Sequence, residues 1–204
     1  MIKNKKGNGL FIAFEGLDGS GSSTQANLLL NYLKNKGRKA FLTKEPTNNI
    51  IGGLIRGQLT GDWKTSMECL QLLFAADRAH HFDREIKPAL AKGKIIITDR
   101  YLFSSIAYGS LALDESWLWE INKNFAMPNC TFLLNVPPGV CLKRITESRL
   151  GLELFEEKKK LYKVWSAYER LAKKFKNVFI IDGLRSPEEI HLEISGIVDS
   201  FLNH

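Results

Sequence analysis

Five short apolar runs separated by longer amphipathic stretches constrain this chain more than any other feature, because that alternation is what a parallel sheet wrapped by helices requires. The runs are Leu10 to Phe14, Lys39 to Thr43, Lys94 to Thr98, Thr131 to Val136 and Val178 to Ile181. Helical patterns occupy Thr24 to Asn35, Ser66 to Leu90, Trp117 to Asn124, Val140 to Ser148, Phe155 to Phe175 and Pro187 to Leu202. Pro88 cannot donate to the i−4 carbonyl, so it is expected to end or kink its helix. With 204 residues, 44% of them hydrophobic, and no repeat or low-complexity linker, the chain is expected to bury one core as a single α/β domain over 1–204, with a flexible start at 1–8.

Charge narrows the partners. The 29 Lys and Arg against 22 Asp and Glu give a formal net charge of +7, which suits a phosphate-bearing partner, nucleotide or nucleic acid. The densest basic runs, Lys3 to Lys6 and Lys158 to Lys160, read as solvated faces rather than binding patches. Cys69, Cys130 and Cys141 lack metal-ligand spacing and read as reduced, mostly buried thiols, which favours the cytoplasm. No signal-peptide pattern and no apolar segment of about 18 residues is present, so a soluble, unexported protein is expected.

The stretch FIAFEGLDGSGSSTQ, Phe11 to Gln25, carries most of the functional information. A strand, a loop with Gly16, Gly19 and Gly21, and a helix start follow one another. Glycines let backbone N–H groups approach a phosphate, and the helix directs its positive end at the anion. The pattern G-x-x-x-x-G-K-[ST] fits Gly16, Gly21 and Ser23, but Ser22 stands where the lysine belongs. The third apolar run, KIIITDRY, ends in Asp99-Arg100-Tyr101, and strand carboxyl ends of a parallel sheet face the ligand crevice. A carboxylate there can hold Mg²⁺ and a guanidinium can grip a second phosphate; a structural Asp-Arg pair is the plain alternative.

Several short motifs in order, FEGLDGSGSSTQ, KEPTN, LLFAADRAHH and DRYLFSSIAYG, followed by a basic helical segment, resemble the thymidylate kinases of the P-loop nucleoside monophosphate kinase group. The resemblance runs across nearly the whole chain. It implies a five-stranded parallel sheet flanked by helices, ATP with Mg²⁺ as phosphoryl donor, dTMP as acceptor, and a homodimer. Residues Gly16, Leu17, Asp18, Gly19, Ser20, Gly21, Ser22, Ser23 and Thr24 would then bind ATP, with Ser23 and Asp99 at the metal. Asp18 would meet the acceptor's sugar hydroxyl, Arg56 and Arg100 its phosphate, and Phe74 would stack on thymine while Arg78 reads its edge. Ser105 and Tyr108 would line the base and deoxyribose. The lid would be 142–157, and since the loop offers Gly19, an auxiliary arginine would come from there, as Arg144 or Arg149.

Each assignment has an alternative. Helical spacing with Leu70 and Leu73 would also make Phe74 a core residue, Arg78 could join a surface ion pair beside Asp77, and Tyr108 could simply pack a helix. Three positions depart from the family pattern: Ser22 for lysine, Lys44 for the arginine usual before Glu-Pro, and Gly109 for a glutamine frequent in bacterial members. A lysine about 4 Å from a phosphate oxygen contributes on the order of 4 kcal/mol at an effective dielectric near 20, so only the first departure threatens catalysis. The expected function is phosphorylation of dTMP to dTDP, with a nucleotide-binding homologue lacking phosphoryl transfer as the alternative. A nucleic-acid-binding module is suggested by charge alone, and no specific nucleic acid or membrane partner is expected.

Overall fold

In the computed structural model, which describes residues 9–146 and 154–203, five parallel strands form one sheet in the order β2-β3-β1-β4-β5. They are β1 (Phe11–Gly16), β2 (Ala40–Lys44), β3 (Ile95–Asp99), β4 (Cys130–Asn135) and β5 (Val178–Asp182). The helices are α1 (Ser22–Asn35), α2 (Ile50–Thr60), α3 (Met67–His81), α4 (Lys87–Ala91), α5 (Leu102–Gly109), α6 (Glu115–Asn122), α7 (Pro138–Thr146), α8 (Leu154–Lys174) and α9 (Pro187–Leu202). The expected flexible start and the centre of the expected lid, with Arg149, lie outside the described residues.

The central strands are apolar on both faces because helices cover both. Along β1, Phe11 and Ala13 enter one core with residues of α5 and α8, whereas Ile12 and Phe14 enter a second core with α1 and α9. Successive side chains of a strand point to opposite faces, so a continuous apolar run serves two cores at once. The edge strands are wetter: Phe41 on β2 and Ile180 on β5 are exposed.

Two helices lie outside the sequence-based expectation. In α2, IIGGLIRGQLT, three glycines lower helix propensity; a cap by Asn49, whose side chain accepts from the Gly52 N–H at 3.1 Å, closes its start. In α5 the buried carboxylate of Glu15 accepts from the backbone N–H groups of Tyr101, Phe103 and Ser104 at 3.1, 3.1 and 3.3 Å, a long-range cap that no local pattern announces. Of the two outcomes expected at Pro88, an end or a kink, the helix does not end there. The ladder widens to a π-turn over Phe82–Ile86, with the Lys87 N–H reaching the Phe82 carbonyl, and α4 continues through the proline.

The chain leaves β1 toward β2 on one side and leaves β3 toward β4 on the other. The crevice outside the carboxyl ends of these adjacent strands is therefore the point where strand order reverses, where ligands of such sheets bind. Phe14 of β1, Asp99 of β3 and Lys44 of β2 share one rung, which brings the glycine loop and Asp99-Arg100 side by side.

Candidate active site

Two cavities open at this crevice. One, of about 570 Å³, is lined by Leu17 to Gln25 together with Arg100, Arg144, Gly183, Arg185, Pro187 and Ile190. The other, of about 460 Å³, is lined by residues of α3 and α5 and by the ends of β2 and β3, among them Phe74, Arg78, Ser105 and Tyr108. Asp18 and Arg100 line both.

The first cavity is a backbone site. Gly21 precedes α1 in the left-handed conformation (φ +94°), and α1 starts without a side-chain cap, so the positive end of the helix faces the cavity. Gly19 is also left-handed (φ +80°), and a Cβ there would come within 2.7 Å of the Cys141 carbonyl oxygen, so the loop packs on α7 only as glycine. From α7, Arg144 donates to the carbonyls of Gly19 at 3.3 Å and Gly183 at 3.2 Å, bringing a guanidinium to the loop's rim. Ser22 is buried and its hydroxyl donates to Asp99 Oδ1 at 3.1 Å, while Ser23 Oγ donates to Asp99 Oδ2. Among the described residues no cluster of three or more acidic, histidine or cysteine ligands is present. A single carboxylate beside a hydroxyl nevertheless suits Mg²⁺, which keeps several waters and completes its shell with substrate phosphates.

Asp99 and Arg100 point to different partners and do not form the structural pair that the sequence left open. The Arg100 guanidinium donates to Asp18 Oδ1 at 2.6 Å, to the Gly16 carbonyl at 2.8 Å and to Ser104 Oγ at 3.1 Å. Its backbone is left-handed (φ +70°), an uncommon state for a residue with a Cβ, and its N–H is held by the Phe14 carbonyl at 2.9 Å. The Tyr108 hydroxyl donates to Asp18 Oδ2 at 3.2 Å, and burial pushes the phenol up to about 12. Beneath them Glu15 also accepts from Ser104 Oγ at 2.5 Å and Tyr168 at 3.2 Å; burial pushes its carboxyl up, opposed by the Ser104 hydrogen bond and the Arg100 charge.

The second cavity is a side-chain site. Phe74 is half-buried and lines it, so the core role open in the sequence is not what α3 gives it. Arg78 is fully buried, and the surface ion pair with Asp77 does not form. Its Nη2 lies 2.8 Å from Glu45 Oε2 and 2.8 Å from Ser105 Oγ, and Nη1 donates to Asn122 Oδ1. Glu45 in turn meets His81 Nδ1 at 3.1 Å, while Asp77 accepts from the Thr47 N–H at 2.8 Å and from its hydroxyl at 2.6 Å. Such a buried pair persists only because its remaining polar atoms are satisfied. Arg56 is not among the side chains lining this cavity; its guanidinium donates to the Thr47 carbonyl.

Sequence reasoning missed Glu15, Glu45, Asn122 and Arg185. Arg185 lines the first cavity from the loop after β5, between the Asp182 carbonyl at 3.3 Å and Glu193. The cue for Glu45 lay in KEPTN, next to a strand end; Glu15 and Asn122 had no local cue because their partners are distant in sequence. Cys130 and Cys141 are buried and Cys69 half-buried, all three as free thiols, and Lys158 to Lys160 are exposed, as expected.

A family model described as thymidylate kinase matches residues 14–194. The probable thymidylate kinase of Thermococcus kodakarensis is 40% identical over 202 residues, covering 95% of this chain and 98% of that protein. That of Methanocaldococcus jannaschii is 42% identical over 188 residues, covering 92% and 94%. The thymidylate kinase of Thermosipho melanesiensis is 36% identical over 200 residues, covering 96% and 100%.

Proposed function

The chain belongs to the thymidylate kinase family, and from that premise we propose that it transfers the γ-phosphoryl group of ATP to dTMP, with Mg²⁺, giving ADP and dTDP. The observation that carries this reading is the pair of cavities sharing the Asp18–Arg100 wall. A donor phosphate in the glycine loop and an acceptor phosphate at Arg100 meet there, so an acceptor oxygen can attack the γ-phosphorus as its bond to the β-phosphate oxygen breaks. A phosphate monoester is largely dianionic at neutral pH, so the nucleophile needs no general base and the protein's task is positioning and charge stabilisation.

The roles follow from reach. Backbone donors of residues 16–24 cradle the donor phosphates, and Ser23 and Asp99 are the residues to hold Mg²⁺, which supplies charge neutralisation on the phosphate oxygens. Asp18 fixes the Arg100 fork toward the acceptor phosphate. Phe74 stacks on the base, Arg78 faces its polar edge through the cavity wall, and Ser105 and Tyr108 flank the base and sugar. Arg56 would reach the acceptor phosphate only by leaving the Thr47 carbonyl. Arg144, whose guanidinium meets the loop, or Arg149 supplies the cation that Ser22 does not, and Arg185 lines the same cavity.

We take the 204 residues as one kinase domain, in the reducing cytoplasm that three free thiols fit. A homodimer is supported by an exposed apolar stripe, Leu72, Ala76 and Ala79 on α3, beside exposed Leu54 on α2. Sedimentation of wild type and Leu72→Glu tests it: a dimer that the variant splits is expected, and a wild-type monomer overturns it.

A coupled assay with ATP, Mg²⁺ and a panel of nucleoside monophosphates tests the activity, with dTDP formation expected. The second reading, nucleotide binding without transfer, is favoured by Ser22 alone. A wild type that makes no dTDP, beside a Ser22→Lys variant that does, would establish it.

A further inference from the structure

We propose that Gln71 reads the N3–H edge of the acceptor's pyrimidine and so separates thymine and uracil from cytosine, an inference that rests on the kinase reading above. Gln71, Phe74 and Arg78 stand at i, i+3 and i+7 of α3, hence on one helical face, and all three line the 460 Å³ cavity. Gln71 is only 2% exposed, yet its Oε1 has no hydrogen-bond partner among the described residues. A buried amide oxygen left unpaired is costly, and a half-turn of this amide, which no hydrogen bond among the described residues pins, would bring it to the cavity as an acceptor awaiting a donor.

The space it occupies is left by a neighbouring helix. A Cβ on Gly109 of α5 would lie 3.1 Å from Gln71 Cδ and 2.8 and 2.9 Å from the Leu118 methyls, so a bare glycine there is what lets the amide stand in place. Arg78 cannot perform the same reading. A guanidinium only donates, and four of its five N–H groups are engaged by Glu45, Asn122, Ser105 and the Tyr101 carbonyl, which leaves one donor and no acceptor. It matches the O4 acceptor of thymine, but N3–H is a donor and needs an acceptor. Rotating the amide to offer Nε2 to the N3 lone pair of cytosine would leave the exocyclic amino group of that base facing Arg78, donor against donor. Recognition of a buried polar edge by an acceptor and a donor set side by side rejects the analogue that reverses both.

The test uses the full chain. In Gln71→Leu, kcat/KM for dTMP is expected to fall at least about tenfold with that for dCMP unchanged or raised, so that the preference between them collapses. N3-methyl-dTMP, which lacks the proton, should bind wild type at least about tenfold more weakly than dTMP by calorimetry, and that gap should close in the variant. Tyr101→Phe removes another buried, unpartnered polar atom on a residue lining this cavity and should leave the preference intact. The proposal is overturned if Gln71→Leu changes the dTMP to dCMP ratio by less than about threefold, if both substrates lose equally with a lowered Tm, or if Tyr101→Phe carries the loss instead. Should Gln71→Leu fail to fold, Gln71→Met takes its place. A wild type that binds dTMP without making dTDP sinks the kinase reading only, and the calorimetric comparison then decides this one.

Discussion

The two cavities solve recognition by opposite means. The phosphate loop is built from glycines, an uncapped helix start and carbonyls that hold Arg144, whereas the acceptor cavity depends on side chains pinned from behind, Arg78 by Glu45 and Asn122, and Glu45 by His81. A backbone site keeps its donors whichever side chain stands at a position such as Ser22, where the backbone does not require glycine. A pinned side-chain site fails when any supporting residue is removed. The contrast explains how a loop with Ser22 in the lysine position can still be a phosphate site, and it says where substitutions should hurt most.

The severest break should be Glu45→Ala. It strips the counter-charge from a fully buried guanidinium, and breaking such a pair costs about 3–5 kcal/mol. Denaturant titration measures it, and a loss below about 1 kcal/mol would mean that Arg78 is not held by this pair. Next comes Phe74→Ala. Base–aromatic stacking contributes roughly 1–3 kcal/mol by alanine substitution, so the dTMP KM should rise about tenfold or more; a loss of about 3–5 kcal/mol in stability with unchanged KM would return Phe74 to the core.

Across the divide, Arg144→Ala should lower kcat at least about tenfold, equivalent to ~1.4 kcal/mol, with the dTMP KM little changed. Ser22→Lys should partly rescue it, because two cations on the same phosphate oxygens do not add. Additive effects in that double variant would separate their sites of action. The smallest effect belongs to Ser22→Ala. Only one hydroxyl contact to Asp99 is lost, and kcat should change by less than about threefold, or ~0.7 kcal/mol. A larger fall would show that Ser22 positions the carboxylate rather than merely filling the lysine's place.

The sheet was legible because each strand announces itself locally: apolar runs bounded by glycine or polar residues fix strand existence, and the loop at Gly16 to Ser23 fixes which end carries the ligand. α2 was hidden by its glycines, and α5 by a cap drawn from Glu15, far away in sequence. The same split runs through the site. Asp18, Ser23, Asp99 and Arg100 were readable because they sit in or beside one loop, and the sheet brings them together. For Arg78 the residue was readable but not its surroundings, since burial and partners such as Asn122, 44 positions on, are products of packing. Gln71 carries no motif, and its open valence appears only once α3 faces α5.

The left-handed backbone at Arg100 makes the end of β3 a sprung catch. For a residue with a Cβ that conformation costs roughly 1–2 kcal/mol, and here the guanidinium's grip on Asp18, Gly16 and Ser104 keeps it from releasing. Cutting the grip while leaving the spring wound, as Arg100→Ala does, and removing both, as Arg100→Gly does, should rank in the reverse of the order usual within helices. The glycine variant should melt higher than the alanine one, and both should lose the acceptor phosphate. At this single position, therefore, the backbone ranks the variants by heat resistance while the guanidinium alone decides turnover, so a melting screen of replacements would say nothing about which of them still works.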